Sequence, residues 1–144
     1  GSPITMIWES EVSALVSGGA RYNTFCLGAL SMAEHPEYAE DTIEIIYTGD
    51  TGQDQLVFHT GEAGQHEYTD LTGVWDPEDK HTYKIVWSTT QVLLYVDNVL
   101  RATHNTRVPD QDLHFAVSAS ALNDQVPPDT VDGILTLHSF SPLL

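Results

Sequence analysis

Basic residues are scarce in this chain of 144 residues, which carries five Lys and Arg against 21 Asp and Glu. The formal net charge is therefore -16 at pH 7. A surface with this charge repels the phosphates of nucleic acids and the headgroups of anionic lipids. The composition therefore argues against nucleic acid as a partner, and we interpret most of the acidic residues as a solvated surface.

Cysteine and long apolar runs are scarce as well. The one cysteine, Cys26, cannot form an internal disulfide, and its neighbours Phe25 and Leu27 predict that it lies in the core. No apolar run approaches the roughly 18–20 residues that a membrane-spanning helix requires. We therefore expect neither a disulfide framework nor a membrane partner.

The length and composition fit one globular domain, because a chain of this size buries roughly 68–70% of the surface that its unfolded form exposes. The first three residues, Gly1-Ser2-Pro3, resemble a cleavage scar or an engineered junction, and we expect a single domain over residues 4–144. We also expect a secreted, extracellular protein whose targeting segment has been removed.

Helix signals are few, whereas short runs rich in β-branched and aromatic residues recur between Gly, Pro, Asn and Asp, which predicts an all-β fold. The clearest pattern is a three-strand meander over 82–87, 91–96 and 99–104, with Asp97-Asn98 as a two-residue turn. Alternation along the first two of these strands predicts a set of core residues: Tyr83, Ile85, Trp87, Val92, Leu94 and Val96.

The remaining strand candidates cover most of the rest of the chain. They are residues 5–9, 11–16, 24–32, 42–48, 55–60, 67–71, 113–119 and 134–140. About eleven short strands separated by regular turn signals favour an antiparallel β-sandwich of two stacked sheets over one closed barrel. Residues 33–40 and 123–130 are predicted to be surface loops.

Several stretches of sequence share a family pattern. Residues 75–87 read WDPEDKHTYKIVW, residues 92–101 read VLLYVDNVLR, and residues 41–50 read DTIEIIYTGD, followed by His59-Thr60. In order and spacing they resemble the "FDPTxxFHTYSIxW", "IxFxVDGxPIR", "DEIDFEFLGN" and "HTN" stretches of family 16 glycoside hydrolases, especially the xyloglucan endotransglycosylases. The resemblance implies a concanavalin A-like jelly roll whose concave sheet holds sugar chains.

The resemblance breaks down at the catalytic positions. Retaining glycosidases need two carboxyl groups about 5–5.5 Å apart, which in this family lie four positions apart on one strand with an Asp between them. Carried over position by position, the nucleophile falls on Thr42, the intervening Asp on Glu44 and the acid/base on Ile46. A register slip of one residue would present Ile43 and Ile45 instead, which restores no carboxylate. We therefore predict a non-catalytic lectin or carbohydrate-binding module rather than an enzyme.

A sheet face with polar side chains and exposed aromatic rings suits a sugar, whose CH groups stack on rings while its hydroxyls form hydrogen bonds. The predicted carbohydrate contacts are Thr42, Glu44, Tyr22, Asn23, Asp50, His59, Trp75 and Asn123. For Glu44 the alternative is a salt-bridged or solvated sheet residue. For His59 it is a buried side chain that is hydrogen-bonded within the sheet.

No cofactor is expected, apart from a structural calcium ion for which Asp132 is the candidate ligand, because related folds present an Asp before the terminal strand. The spacing of the seven His residues does not indicate zinc. The expected partner is an oligosaccharide or glycan. Because one shallow groove binds weakly, we expect self-association, as a homo-oligomer, or attachment to a larger protein.

Two other functions remain open at this stage. One is a glycoside hydrolase or transglycosylase with relocated carboxylates, using Asp41 and Glu44 or Glu44 and Asp50. The other is a structural or protein-interaction sandwich whose groove is filled by a loop.

Overall fold

The computed structural model describes residues 3–13, 23–31, 41–49, 55–110, 112–121 and 134–143. Within these ranges the chain forms ten β-strands. They are β1 (Ile4–Ser13), β2 (Asn23–Ser31), β3 (Thr42–Gly49), β4 (Gln55–Glu62), β5 (Gln65–Asp70), β6 (His81–Trp87), β7 (Val92–Val96), β8 (Val99–His104), β9 (His114–Ala121) and β10 (Ile134–Leu143). A helix able to span a membrane is not found in this part of the chain.

The strands form two five-stranded sheets in which the paired strands are antiparallel. Sheet 1 has the order β10-β1-β6-β7-β8, and sheet 2 has the order β5-β4-β3-β2-β9. Side chains from one face of each sheet form a shared core between them. The predicted all-β antiparallel sandwich is therefore confirmed.

The meander predicted from the sequence is present as β6, β7 and β8, and its turn has positive φ angles of 50° at Asp97 and 64° at Asn98. Five of the six predicted core residues are buried, and Trp87 is partly buried against the core. The indole N–H of Trp87 donates a hydrogen bond of 3.0 Å to the carbonyl of Pro109. The predicted strands at 5–9 and 11–16 are not separated at residue 10, because β1 is continuous from Ile4 to Ser13, with an irregular register between Glu9 and Ser10. Residues 14–16 lie outside the described residues.

Aromatic packing joins the two sheets at one end of the core. Trp8 of β1 is fully buried and stacks on Tyr83 of β6, with ring centroids 5.5 Å apart. Its edge meets Phe115 of β9, in the other sheet, at 5.4 Å. Because large aromatic side chains contribute much of the apolar area that a core removes from water, this contact is an important part of the packing between the two sheets.

A polar contact joins the sheets at the side formed by β8, β4 and β5. His104 is fully buried, and its ring nitrogens lie 2.8 Å from the hydroxyl oxygens of Thr60 and Thr69. A hydroxyl can donate or accept, so the neutral ring finds a partner for its N–H and for its bare nitrogen. Burial lowers the pKa of His104, because a charged ring loses its hydration there.

The outward direction of β3 follows from the alternation of its side chains. Ile43 and Ile45 are fully buried and Tyr47 is 7% exposed, so these three lie in the core. Glu44 and Ile46 are only partly buried, because alternate residues of a strand point to opposite faces. The register predicted from the sequence, with Glu44 on the face away from the core, is confirmed.

Protonation of His104 should destabilise the fold. Its folded pKa lies below the unfolded value of about 6.5, so the unfolded chain binds the proton first, and stability is lost as the pH falls below that value. The free energy of unfolding can be measured in urea at about pH 7.5 and at about pH 5. Between these two pH values we expect the wild type to lose more of it than His104→Asn, because asparagine does not take up a proton. Equal losses in both proteins would contradict this assignment.

Shortening Ile45 or Ile46 tests the facing of β3 directly. Ile45→Ala opens a cavity in the core and should lower the free energy of unfolding by about 2–5 kcal/mol. The same truncation at the partly buried Ile46 should cost clearly less. Chemical denaturation of both variants measures the difference, and a larger loss for Ile46→Ala would mean that the register is inverted.

Candidate functional site

The outer face of sheet 2, defined as the side turned away from sheet 1, gathers the polar and aromatic residues of three neighbouring strands. Pairing aligns Glu44 of β3 with His59 of β4 and His59 with Tyr68 of β5. On β3, β4 and β5 the described side chains of this face include Thr42, Glu44, Ile46, Val57, His59, His66, Tyr68 and Asp70. It therefore carries a polar and aromatic row beside the apolar pair Ile46 and Val57.

Three of these side chains form a continuous hydrogen-bonded line, which we call the triad. Nδ1 of His59 lies 2.9 Å from Oε2 of Glu44, and Nε2 of the same ring lies 2.8 Å from Nδ1 of His66. His66 pairs with Gly61, whose position carries no side chain, and this leaves its ring free to reach the neighbouring His59. Both nitrogens of His59 are therefore occupied.

Tyr68 covers the central residue of the triad. Its ring stacks on that of His59 with centroids 4.5 Å apart and planes 9° from parallel. The His59 side chain is only 8% exposed, whereas Tyr68 is 61% exposed on the edge strand of the sheet. The arrangement thus holds an open aromatic ring beside two hydrogen-bonding groups, Glu44 and His66.

The shape of the triad does not suit a metal ion. Glu44 and His66 bond to opposite sides of the His59 ring, so the three groups do not converge on one point. Across the residues that the structure describes, no group of three or more His, Cys, Asp or Glu side chains has the arrangement of a metal site. The triad is therefore a hydrogen-bonded line rather than a coordination cage.

The predicted contacts fall into different places. Glu44 lies on the outer face with 26% of its side chain exposed, and His59 lies beneath Tyr68 as the buried, hydrogen-bonded alternative described above. Asn23 is the first residue of β2. Tyr22, Asp50, Asn123 and the candidate calcium ligand Asp132 lie outside the described residues.

Thr42 and Trp75 need correction as open contacts. Thr42 shares the outer face but is only 4% exposed, at the end of β3 where the neighbouring Asp41 accepts a 3.0 Å hydrogen bond from the N–H of Ala63. Trp75 is partly buried against the core, and its indole N–H donates to the hydroxyl of Tyr83 at 3.1 Å. Its ring is therefore engaged with sheet 1 rather than standing free for a sugar.

The sequence analysis did not single out two residues of this candidate site, His66 and Tyr68. The turn between β4 and β5 is formed by Ala63 and Gly64, with φ angles of 48° and 74°, so that Glu62 pairs with Gln65. Counting back from a two-residue turn places Tyr68 opposite His59. That turn was the available signal, but Ala-Gly is a weaker hairpin marker than Asn-Gly or Asp-Gly.

Comparisons with known proteins place this geometry in context. The family model "Glycosyl hydrolases family 16" matches residues 22–123, whereas a comparison with curated protein sequences finds no match. Among solved structures, a marine PL7 alginate lyase from Zobellia galactanivorans is 16% identical with a TM-score of 0.62, over 99% of this chain and 62% of that one. The catalytic domain of an endo-1,3-β-glucanase (laminarinase) from Thermotoga petrophila is 14% identical with a TM-score of 0.63, over 99% and 64%.

Sheep galectin-11 is also similar, with 12% identity and a TM-score of 0.54, over 99% of this chain and 91% of the galectin. The chain thus spans less than two thirds of the length of the lyase and of the laminarinase. At these identities the structures support a shared jelly-roll fold and leave the activity open. Since the family model covers more than two thirds of the sequence, the chain belongs to family 16 of the glycosyl hydrolases.

Proposed function

We propose that the outer face of sheet 2 binds a neutral oligosaccharide without cleaving it. The observation that carries this proposal is the exposed ring of Tyr68 held beside Glu44 and His66 on one sheet face. A pyranose ring stacks its CH groups on an aromatic face, and its hydroxyls bond to polar groups at the rim. The triad and Tyr68 together offer both kinds of contact.

The charge of the chain favours a neutral sugar. A formal charge of -16 repels polyanionic polymers such as uronates or sulfated glycans. The carboxylate of Glu44 on the binding face adds to this repulsion. Neutral glucans, galactosides and mannosides are therefore the classes of ligand to test first.

The outward residues of β3 support a binding role over hydrolysis. Retaining hydrolysis needs two carboxyl groups about 5–5.5 Å apart, but the outward positions of β3 are Thr42, Glu44 and Ile46. The carboxylate that is present, Glu44, is hydrogen-bonded to His59. We infer that this protein keeps the sheet of a family 16 glycosidase and uses it for binding.

Relocated carboxylates are the second candidate, and the position of Asp41 disfavours one version of it. Asp41 is 7% exposed and its Oδ1 accepts a hydrogen bond from the backbone of Ala63. It is also three residues from Glu44, an odd separation that places the two on opposite faces of a regular strand. Asp41 is therefore better suited to fixing the turn between β4 and β5 than to catalysis.

Removal of the Tyr68 ring should weaken sugar binding. Calorimetric titration with laminarin oligosaccharides, mixed-linkage glucan oligosaccharides, galactosides and mannosides should detect binding to at least one of them. For that ligand Tyr68→Ala should raise the Kd by about tenfold, because an aromatic stacking contact is lost. Tyr95→Ala is the matched control, since Tyr95 lies on β7 of sheet 1. The proposal would be refuted if none of these sugars binds, or if Tyr68→Ala leaves the Kd unchanged.

The wild-type protein should release no reducing sugar from any of these glucans. The physical reason is the absence of a second carboxylate beside Glu44 on the outward positions of β3. A reducing-end assay over long incubation measures this, with Glu44→Gln as the companion variant. If the wild type releases reducing sugar and Glu44→Gln does not, the protein is a hydrolase that uses Glu44.

A further inference from the structure

The triad has a direction, because each of its members restricts the hydrogen bonding of the next. We propose that His66 determines the specificity of the outer face by presenting an unprotonated Nε2, and that Glu44 imposes this state through His59. The consequence for sugars rests on the function proposed above, whereas the protonation pattern itself does not. His59 acts here as a positioning residue and His66 as a ligand contact. Glu44 does both, because one carboxylate can accept from His59 and also from a ligand.

The first step concerns Glu44 and His59. An ionised carboxylate carries no proton and can only accept a hydrogen bond. The 2.9 Å contact therefore requires that Nδ1 of His59 carries the proton and donates it to Oε2 of Glu44. A neutral imidazole has one N–H, so Nε2 of the same ring is bare and can only accept.

The second step passes this restriction to His66. Its Nδ1 lies 2.8 Å from the bare Nε2 of His59, a distance at which two lone pairs would repel each other. His66 must therefore carry its proton on Nδ1 and donate it to His59. Its own Nε2 is then left without a proton, as a hydrogen-bond acceptor.

Burial keeps water from undoing this order. The His59 side chain is 8% exposed and lies under the ring of Tyr68, so both of its hydrogen bonds are shielded from solvent. A shielded hydrogen bond to a charged group is stronger than one that competes with water. His66, in contrast, is an exposed residue, and the described residues supply no hydrogen bond to its Nε2.

The sugar-facing groups of the triad are then acceptors alone. Glu44 is 26% exposed and offers carboxylate oxygens, and His66 offers Nε2. Such a pair selects a ligand that donates from two hydroxyl groups, as an unsubstituted neutral sugar does. It disfavours a ligand whose hydroxyls at those positions are methylated, because an ether oxygen can only accept.

The protonation pattern can be measured in the free protein. Long-range 1H–15N NMR spectra of the full chain at about pH 8, where imidazoles are ordinarily neutral, should show both His59 and His66 protonated on Nδ1. Glu44→Lys replaces an acceptor by a donor and should move the proton of His66 to Nε2. Glu62→Lys is the matched control, because it places the same charge on β4 outside the triad.

Either of two results would overturn the inference. One is a wild-type spectrum in which His59 or His66 carries its proton on Nε2. The other is a His66 proton that stays on Nδ1 in Glu44→Lys, or that moves equally in Glu62→Lys. A role of Glu44 in stability alone would not move this signal.

Sugar binding then separates the inference from the proposed function. The test uses an oligosaccharide that binds the wild type. For this ligand His66→Asn should raise the Kd about fivefold to tenfold, because the shorter asparagine side chain has no acceptor atom where Nε2 of His66 lies. His66→Gln, whose side-chain carbonyl extends that far, should restore most of the affinity. A Kd of His66→Asn equal to that of the wild type would contradict the inference. If the wild type binds none of the sugars, the proposed function is refuted, and the NMR experiment alone decides the protonation pattern.

Discussion

The alternation of side chains along β3 is the constraint on which the rest of the site depends. A strand presents successive residues to opposite faces, and the interior of a sandwich accepts only the apolar set. With Ile43 and Ile45 fully buried, Glu44 is forced to the outer face. The same alternation on β4 and β5 then brings His59 and Tyr68 into line with it.

Family membership and the proposed chemistry are separate conclusions. The match over residues 22–123 and the jelly-roll fold establish what kind of sandwich this is. A fold nevertheless hosts many functions, and the function has to be argued from the residues of the site. The residues from which we argue the proposed binding are the carboxylate of Glu44, the imidazoles of His59 and His66 and the exposed ring of Tyr68.

Local sequence patterns were sufficient for the meander, whereas the outward set of β3 was predicted from the family resemblance and agrees with the alternation of that strand. The turn pair Asp97-Asn98 and the alternation of Ile43 and Ile45 are short-range signals that tertiary structure does not override. The family resemblance added the jelly roll and singled out Glu44. Together these supplied the sandwich and one member of the triad in its correct orientation.

The rest of the site depends on cross-strand register and on loop packing, which local patterns do not encode. His66 joins the triad because the Ala63-Gly64 turn sets the pairing of β4 with β5 and because the adjacent position is Gly61. Trp75 turns toward Tyr83 because of how the segment between β5 and β6 packs on the core. Both outcomes require the positions of residues from other strands.

A crystal structure of this chain grown with a mixture of neutral oligosaccharides would test the central claim most directly. The account predicts a sugar ring packed on Tyr68, with its hydroxyl groups bonded to Glu44 and His66. Sugars bound only elsewhere on the molecule, with the outer face of sheet 2 left empty, would contradict it.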